Sequence, residues 1–116
     1  MVEQKVDEHG RVVPDRLPRV AADAIVLRPK NGTHEIMLIT RKKATFQGFL
    51  AFPGGHIDYG EDPEESCIRE LKEECDVDGS HPKLVCVRGK HDRDPRYHMI
   101  SIVYLVTVDP TAKPVA

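Results

Sequence analysis

The stretch RELKEE, from Arg69 to Glu74, packs five charged side chains into six residues and sets three glutamates within five positions. At about 100° per residue, Glu70, Glu73 and Glu74 fall on one arc of a helix with Ser66, while Cys67, Ile68, Leu71 and Cys75 fall on the adjoining arc. Lys72 points away from the carboxylates and cannot neutralise them. Most glutamate-rich helix faces are simply solvated. Here, however, Glu70 and Glu74 form an i, i+4 like-charge pair that costs about 0.2–0.5 kcal/mol, and Glu73 adds to the repulsion. A bound divalent cation removes that conflict, and hard oxygen ligands suit magnesium or manganese better than zinc or copper.

A helix that presents these carboxylates has clear ends. Asp62 can cap it, Pro63 suits the first helical position, Glu64 and Glu65 complement the positive end of the dipole, and Glu65 completes a capping box. Asp76 tolerates the left-handed conformation that follows many helices, so the spacing predicts a helix over 63–75. Around it, AADAIVLR, HEIMLIT, FLAF, KLVCVRG and MISIVYLVTV are short runs rich in β-branched residues, bounded by KNG, PGG and DP, and they read as strands. The glycines of FPGGH read as a turn that ends a strand at Pro53 and lets a backbone carbonyl come close to such a metal without a side chain in the way.

Composition bounds the rest. A chain of 116 residues with 40% apolar and 31% charged residues fits one domain with a real core. A net charge of -2 and no long basic run point away from nucleic acid and anionic membrane as partners. Three cysteines, Cys67, Cys75 and Cys86, without C-x-x-C spacing argue against a disulfide framework and a zinc knuckle, so a reducing, cytoplasmic location is expected. No segment reaches membrane-spanning length and the N-terminus lacks the apolar stretch of a signal peptide. Residues 1–19, with Gly10, Pro14 and Pro18, read as an arm or irregular hairpin, and the organised domain as residues 20–116.

Gly55, five residues, Glu61, seven residues, then Arg69, Glu70, Leu71, any residue, Glu73, Glu74, any residue, Asp76 and Val77 resembles the signature box of the Nudix hydrolases. Asp76 stands where that family has glycine. The resemblance implies an α/β (α+β) fold, a mixed β-sheet with the box helix on one face. It implies metal-dependent hydrolysis of a nucleoside diphosphate linked to another moiety, with Mg2+, or Mn2+ in its place, held by Glu70, Glu73, Glu74 and the carbonyl of Gly54. Arg69 and Glu61 would support those ligands through an ion pair.

The run DRDPRYHMIS, and the order Gly48, Leu50, Ala51, Pro53 ahead of the box, resemble the ADP-ribose pyrophosphatases of that family. The substrate implied is then ADP-ribose, cleaved to AMP and ribose 5-phosphate. Arg93, Arg96 and His98, together with Arg41, become candidates to meet its phosphates, and Phe46 and Phe49 could stack on a base. His56 reads as a loop residue. The alternative is a Nudix-fold module that binds or senses a nucleotide without turning it over.

Family members continue into a further strand and a second helix after the point where this chain reads DPTAKPVA, and no acidic residue follows Asp109. The strand around Ile102 to Val106 carries apolar residues on both faces, and one helix can cover only one of them. The expectation is a domain truncated at its C-terminus, lacking the usual second helix, or one that buries its other sheet face against a second copy as a homodimer.

Overall fold

The computed structural model describes residues 5–13, 17–40, 50–95 and 97–114. Strands β1 (Lys5–Val6) and β2 (Val12–Val13) pair antiparallel as a small hairpin. The main sheet is built on β3 (Arg19–Lys30), with β4 (Thr33–Ile36) returning antiparallel through the Asn31–Gly32 turn. Strands β5 (Ile39–Thr40) and β6 (Leu50–Ala51) pair with each other, and β7 (Gly54–His56) runs antiparallel to β3. After helix α1 (Pro63–Cys75), β8 (Gly79–Arg88) and β9 (Met99–Val108) form a long hairpin, and β9 lies parallel to β3. The sheet order is β4-β3-β9-β8, with β7 beside β4 on the same edge of β3. The result, among the described residues, is the mixed sheet with one packed helix that the sequence predicts.

Five runs expected as strands contain strands, and MISIVYLVTV matches β9 end to end. HEIMLIT divides into β4 and β5, with Met37 and Leu38 between them and the Met37 N–H bonding the Val26 carbonyl. The surprise is β7. The turn expected at PGG is a strand, paired Ala21 to His56, Ala22 to Gly55 and Asp23 to Gly54. Neither Gly54 nor Gly55 has a positive φ, so the glycines do not serve an unusual backbone conformation. They serve close approach. A β-carbon on Gly54 would strike the Asp23 side chain and the Ala22 carbonyl, and one on Gly55 would stand 2.6 Å from the Glu70 carboxyl group.

The helix takes its predicted bounds. Asp62 precedes it in extended conformation and its carbonyl accepts the Ser66 N–H at 3.0 Å, but its side chain makes no cap bond, so the expected capping box does not form. At the other end Asp76 is left-handed, with φ 55° and ψ 40°, and donates its N–H to the Lys72 carbonyl. Lys72 turns to Asp76 and Asp78 at 2.9 and 3.2 Å, away from the glutamate arc as expected.

The core lies between α1 and one face of the sheet. Alternation along β3 and β9 puts Ala22, Ala24, Val26, Tyr104 and Val106 under Cys67, Leu71 and Cys75. The two alanines matter because small side chains let the helix axis approach the sheet, and Leu71, fully buried, fills the space they leave. Truncating Leu71 to alanine costs about 2–5 kcal/mol on this reasoning. Tyr104 pins the first helical turn by donating its hydroxyl to Glu64 at 3.3 Å. On the opposite face Ser101 and Val103 are buried, whereas Leu27 and Leu105 open to solvent, and the edge strand β8 exposes Leu84, Val85 and Val87.

Candidate functional site

The helix delivers Arg69 to the turn that follows β7, and there all five of its N–H donors find an acceptor. Nε and Nη2 grip the two oxygens of Glu61 at 2.7 and 3.0 Å. Nη1 reaches Glu70 at 3.0 Å and Glu73 at 3.1 Å, and Nη2 also reaches the His56 carbonyl at 3.3 Å. The bidentate pairing is the geometry in which a guanidinium binds a carboxylate best. The Arg69 hydrogen bonds hold the Glu61 carboxyl down to about 2, against the opposing effect of burial. The same pairing, with Glu73, Glu70 and Asp58 adding to it, raises Arg69 further above its ordinary value.

Glu74 stands one helical turn beyond Glu70, at the outer edge of β7. Its Oε1 accepts the Gly54 N–H at 2.9 Å. Burial pushes its carboxyl up to about 7; the Gly54 hydrogen bond pulls the other way, while the charges of Glu70 and Asp23 raise it further. This is the like-charge conflict expected from the sequence, now placed in a half-buried setting where it weighs more.

The structure therefore brings Gly54, Glu61, Arg69, Glu70 and Glu74 together. Glu73 lies on the exposed side of this group, its side chain 58% exposed and sharing Arg69 Nη1 with Glu70. Among the described residues no three acidic, histidine or cysteine side chains converge as a ready-made metal cage. Glu70 and Glu74 with a main-chain oxygen of the Gly54–Gly55 segment could hold a hard divalent cation, because the glycines open that space and the half-buried Glu74 has no cation partner among the described residues.

The cations expected to meet phosphate are placed differently. Arg93 directs Nη2 to the carbonyls of Arg88 and Met99 at 3.2 and 3.3 Å and to Ser101 Oγ at 3.0 Å, and His98 Nε2 meets the Gly89 carbonyl at 2.7 Å. Both tie β8 to β9 across the hairpin. A cleft of about 530 Å³ beside them is lined by Val87, Arg88, Gly89, Lys90, Asp92 and Arg93, away from the helix glutamates. Arg41 and Arg96 lie outside the described residues, as do Phe46, Gly48 and Phe49.

Two residues that sequence reasoning passed over sit next to this centre. His56 follows the glycine pair directly, and Tyr97 brings its hydroxyl to within 3.4 Å of His56 Nε2. The Arg19 guanidinium stacks over the Tyr97 ring at 4.5 Å. Only the position of His56 after Gly55 could have signalled this, since Tyr97 lies 41 residues away from it in sequence.

No helix among the described residues is long and apolar enough to cross a membrane. In sequence, the chain is 42% identical over 91 residues to an ADP-ribose pyrophosphatase of Methanocaldococcus jannaschii, a match covering 78% of this chain and 52% of that protein. In structure, it resembles a MutT/nudix family protein from Enterococcus faecalis with a TM-score of 0.83 and 28% identity, over 93% of this chain and 43% of that one. It also resembles a bifunctional NMN adenylyltransferase/ADP ribose pyrophosphatase from Francisella tularensis, complexed with AMP and a manganese ion, with a TM-score of 0.73 and 27% identity over 88% of this chain and 31% of that one. The chain thus spans about half the length of the curated relative or less of these larger proteins. The profile of the NUDIX domain matches residues 17–116, and with the box residues gathered as described, this chain belongs to the NUDIX domain family.

Proposed function

We propose that this domain hydrolyses the pyrophosphate bond of a nucleoside diphosphate linked to another moiety, with ADP-ribose as substrate and AMP and ribose 5-phosphate as products. The observation that carries the reading is the Glu70–Glu74 pair, one carboxylate laid over Gly55 and the other, held by the Gly54 N–H, pushed up to about 7 by burial. A protein that needed only a helix at this place would gain by losing that repulsion. The similarity to an ADP-ribose pyrophosphatase supports the substrate.

A divalent cation, Mg2+ or Mn2+, held by Glu70, Glu74 and a main-chain oxygen of Gly54 would neutralise the pyrophosphate and favour attack by water. Everything else falls to the chain. Arg69 fixes Glu70 and Glu73 in direction, and Glu61 fixes Arg69. Gly54 orients Glu74 through its N–H, so neither ligand has to be ordered when the substrate arrives. Glu73, exposed and paired among the described residues with Arg69, is the carboxylate able to turn from Arg69 and join the others. With Arg93 and His98 bonded within the hairpin, Arg41 and Arg96 are the cations left to take the phosphates.

Incubation with Mg2+ and ADP-ribose, followed by separation of AMP and ribose 5-phosphate, tests the proposal. Binding of ADP-ribose without either product would instead identify a nucleotide-sensing module.

A further inference from the structure

The five donors of Arg69 leave no slack: two go to Glu61, one each to Glu70 and Glu73, and the fifth to the carbonyl of His56. The first four acceptors belong to the box. The fifth belongs to a residue whose side chain is engaged elsewhere, with its ring 6.1 Å from that of Tyr97 and its Nε2 3.4 Å from the Tyr97 hydroxyl. Tyr97 is itself held at the end of the β8–β9 loop. Arg19 stacks on its ring, and the Arg19 N–H bonds the carbonyl of the adjacent His98 at 2.9 Å. The contacts thus run unbroken from the β8–β9 loop, through Tyr97 and His56, to Arg69 and the carboxylates of Glu70 and Glu73.

The geometry points to Tyr97 and His56 as positioning residues for the carboxylates of the box, acting through the carbonyl of His56 on Arg69. This inference rests on the metal-dependent reading of the site. The β7–β3 pairing holds the His56 main chain on either side, so the ring's contact with Tyr97 sets the tilt of the carbonyl toward Nη2, and losing that contact lengthens the bond. A guanidinium with one free donor can then rotate toward solvent and take Glu70 and Glu73 with it. Partners one step removed from a ligand set affinity in this way, by fixing ligand direction rather than by touching the ion. The loop gains a role as well, since anything that displaces Tyr97 alters the carboxylates.

Mn2+ titrated into the protein without nucleotide, with free ion followed by electron paramagnetic resonance, provides the test. Tyr97→Phe keeps the ring under Arg19 and removes only the hydroxyl. His56→Ala keeps the carbonyl and removes the ring. Each is expected to weaken Mn2+ binding about tenfold, with an unchanged melting temperature, and the double variant to be no weaker than either single one, because both break the same link. A rise in KM for ADP-ribose with unchanged Mn2+ affinity would make Tyr97 a substrate contact and overturn the inference. So would additive losses in the double variant. Wild-type protein that binds no Mn2+ overturns the metal reading as well, whereas wild-type binding with unaltered affinity in both variants overturns this inference alone.

Discussion

Glu70 occupies the space that a side chain at residue 55 would need: its carboxyl carbon and Oε1 both stand 2.6 Å from the point where a β-carbon on Gly55 would lie. The strand is thus stripped of side chains so that a carboxylate can rest on it.

Gly55→Ala should separate function from stability. The clash is with the far end of a flexible side chain, so Glu70 moves aside, and alanine at an ordinary strand φ lowers unfolded-state entropy by about 0.4–1 kcal/mol. Thermal melting is expected to change by only a few degrees, while metal-dependent hydrolysis falls at least about tenfold. A variant of wild-type activity would show that Glu70 need not lie over this strand.

The ion pair beneath the site predicts an acid limb. Glu61 titrates at about 2 in the folded protein against an ordinary 4.5, because Arg69 bonds its ionised form. A depressed carboxyl contributes stability that is fully present above the unfolded value and is lost as the pH falls through the folded one. Wild-type protein should therefore melt above Glu61→Gln at neutral pH, with the gap shrinking below about pH 4.5 and closing near pH 2. A gap independent of pH would mean that Glu61 acts by packing and not by charge.

Arg93 should behave as a hairpin staple. Its bonds to Arg88, Met99 and Ser101 are partly exposed, so losing them in Arg93→Ala costs about 1–2 kcal/mol and lowers the melting temperature by roughly 5 °C. KM for ADP-ribose should move little by comparison. A large rise in KM at constant melting temperature would return Arg93 to the phosphates.

The ends of the helix, its glutamate arc, the course of β9 and the box itself are legible in sequence because each is local: a proline at 63, a left-handed aspartate at 76, alternation over ten residues. What escaped depends on partners distant in the chain. Gly54–His56 has no strand propensity, and only pairing with Ala21–Asp23 makes it β7. Arg93 reads as a free cation until the hairpin closes around its guanidinium. Glu73 falls on the same arc as Glu70 and Glu74, yet it is paired with Arg69 on the exposed side, a competition that helical periodicity cannot express.

The exposed side chains of the edge strand predict association. Leu84 and Val87 are 60% and 58% exposed on β8, which pairs only with β9 among the described strands. Light scattering should show mass rising with concentration, and Leu84→Lys or Val87→Lys should suppress the rise. A monodisperse monomer at high concentration would contradict this.

The central claim is that Glu70 and Glu74 hold a divalent ion for pyrophosphate cleavage, and it meets its most direct test in one product assay run on wild type and Glu74→Gln. The glutamine keeps an oxygen for the Gly54 N–H and relieves the like-charge pair, so the fold should be retained or slightly stabilised. Equimolar AMP and ribose 5-phosphate are expected from ADP-ribose in wild type with Mg2+ or Mn2+, none with EDTA, and a loss of at least about a thousandfold in the folded variant. Equal turnover by the variant, or turnover undiminished by EDTA, would contradict it.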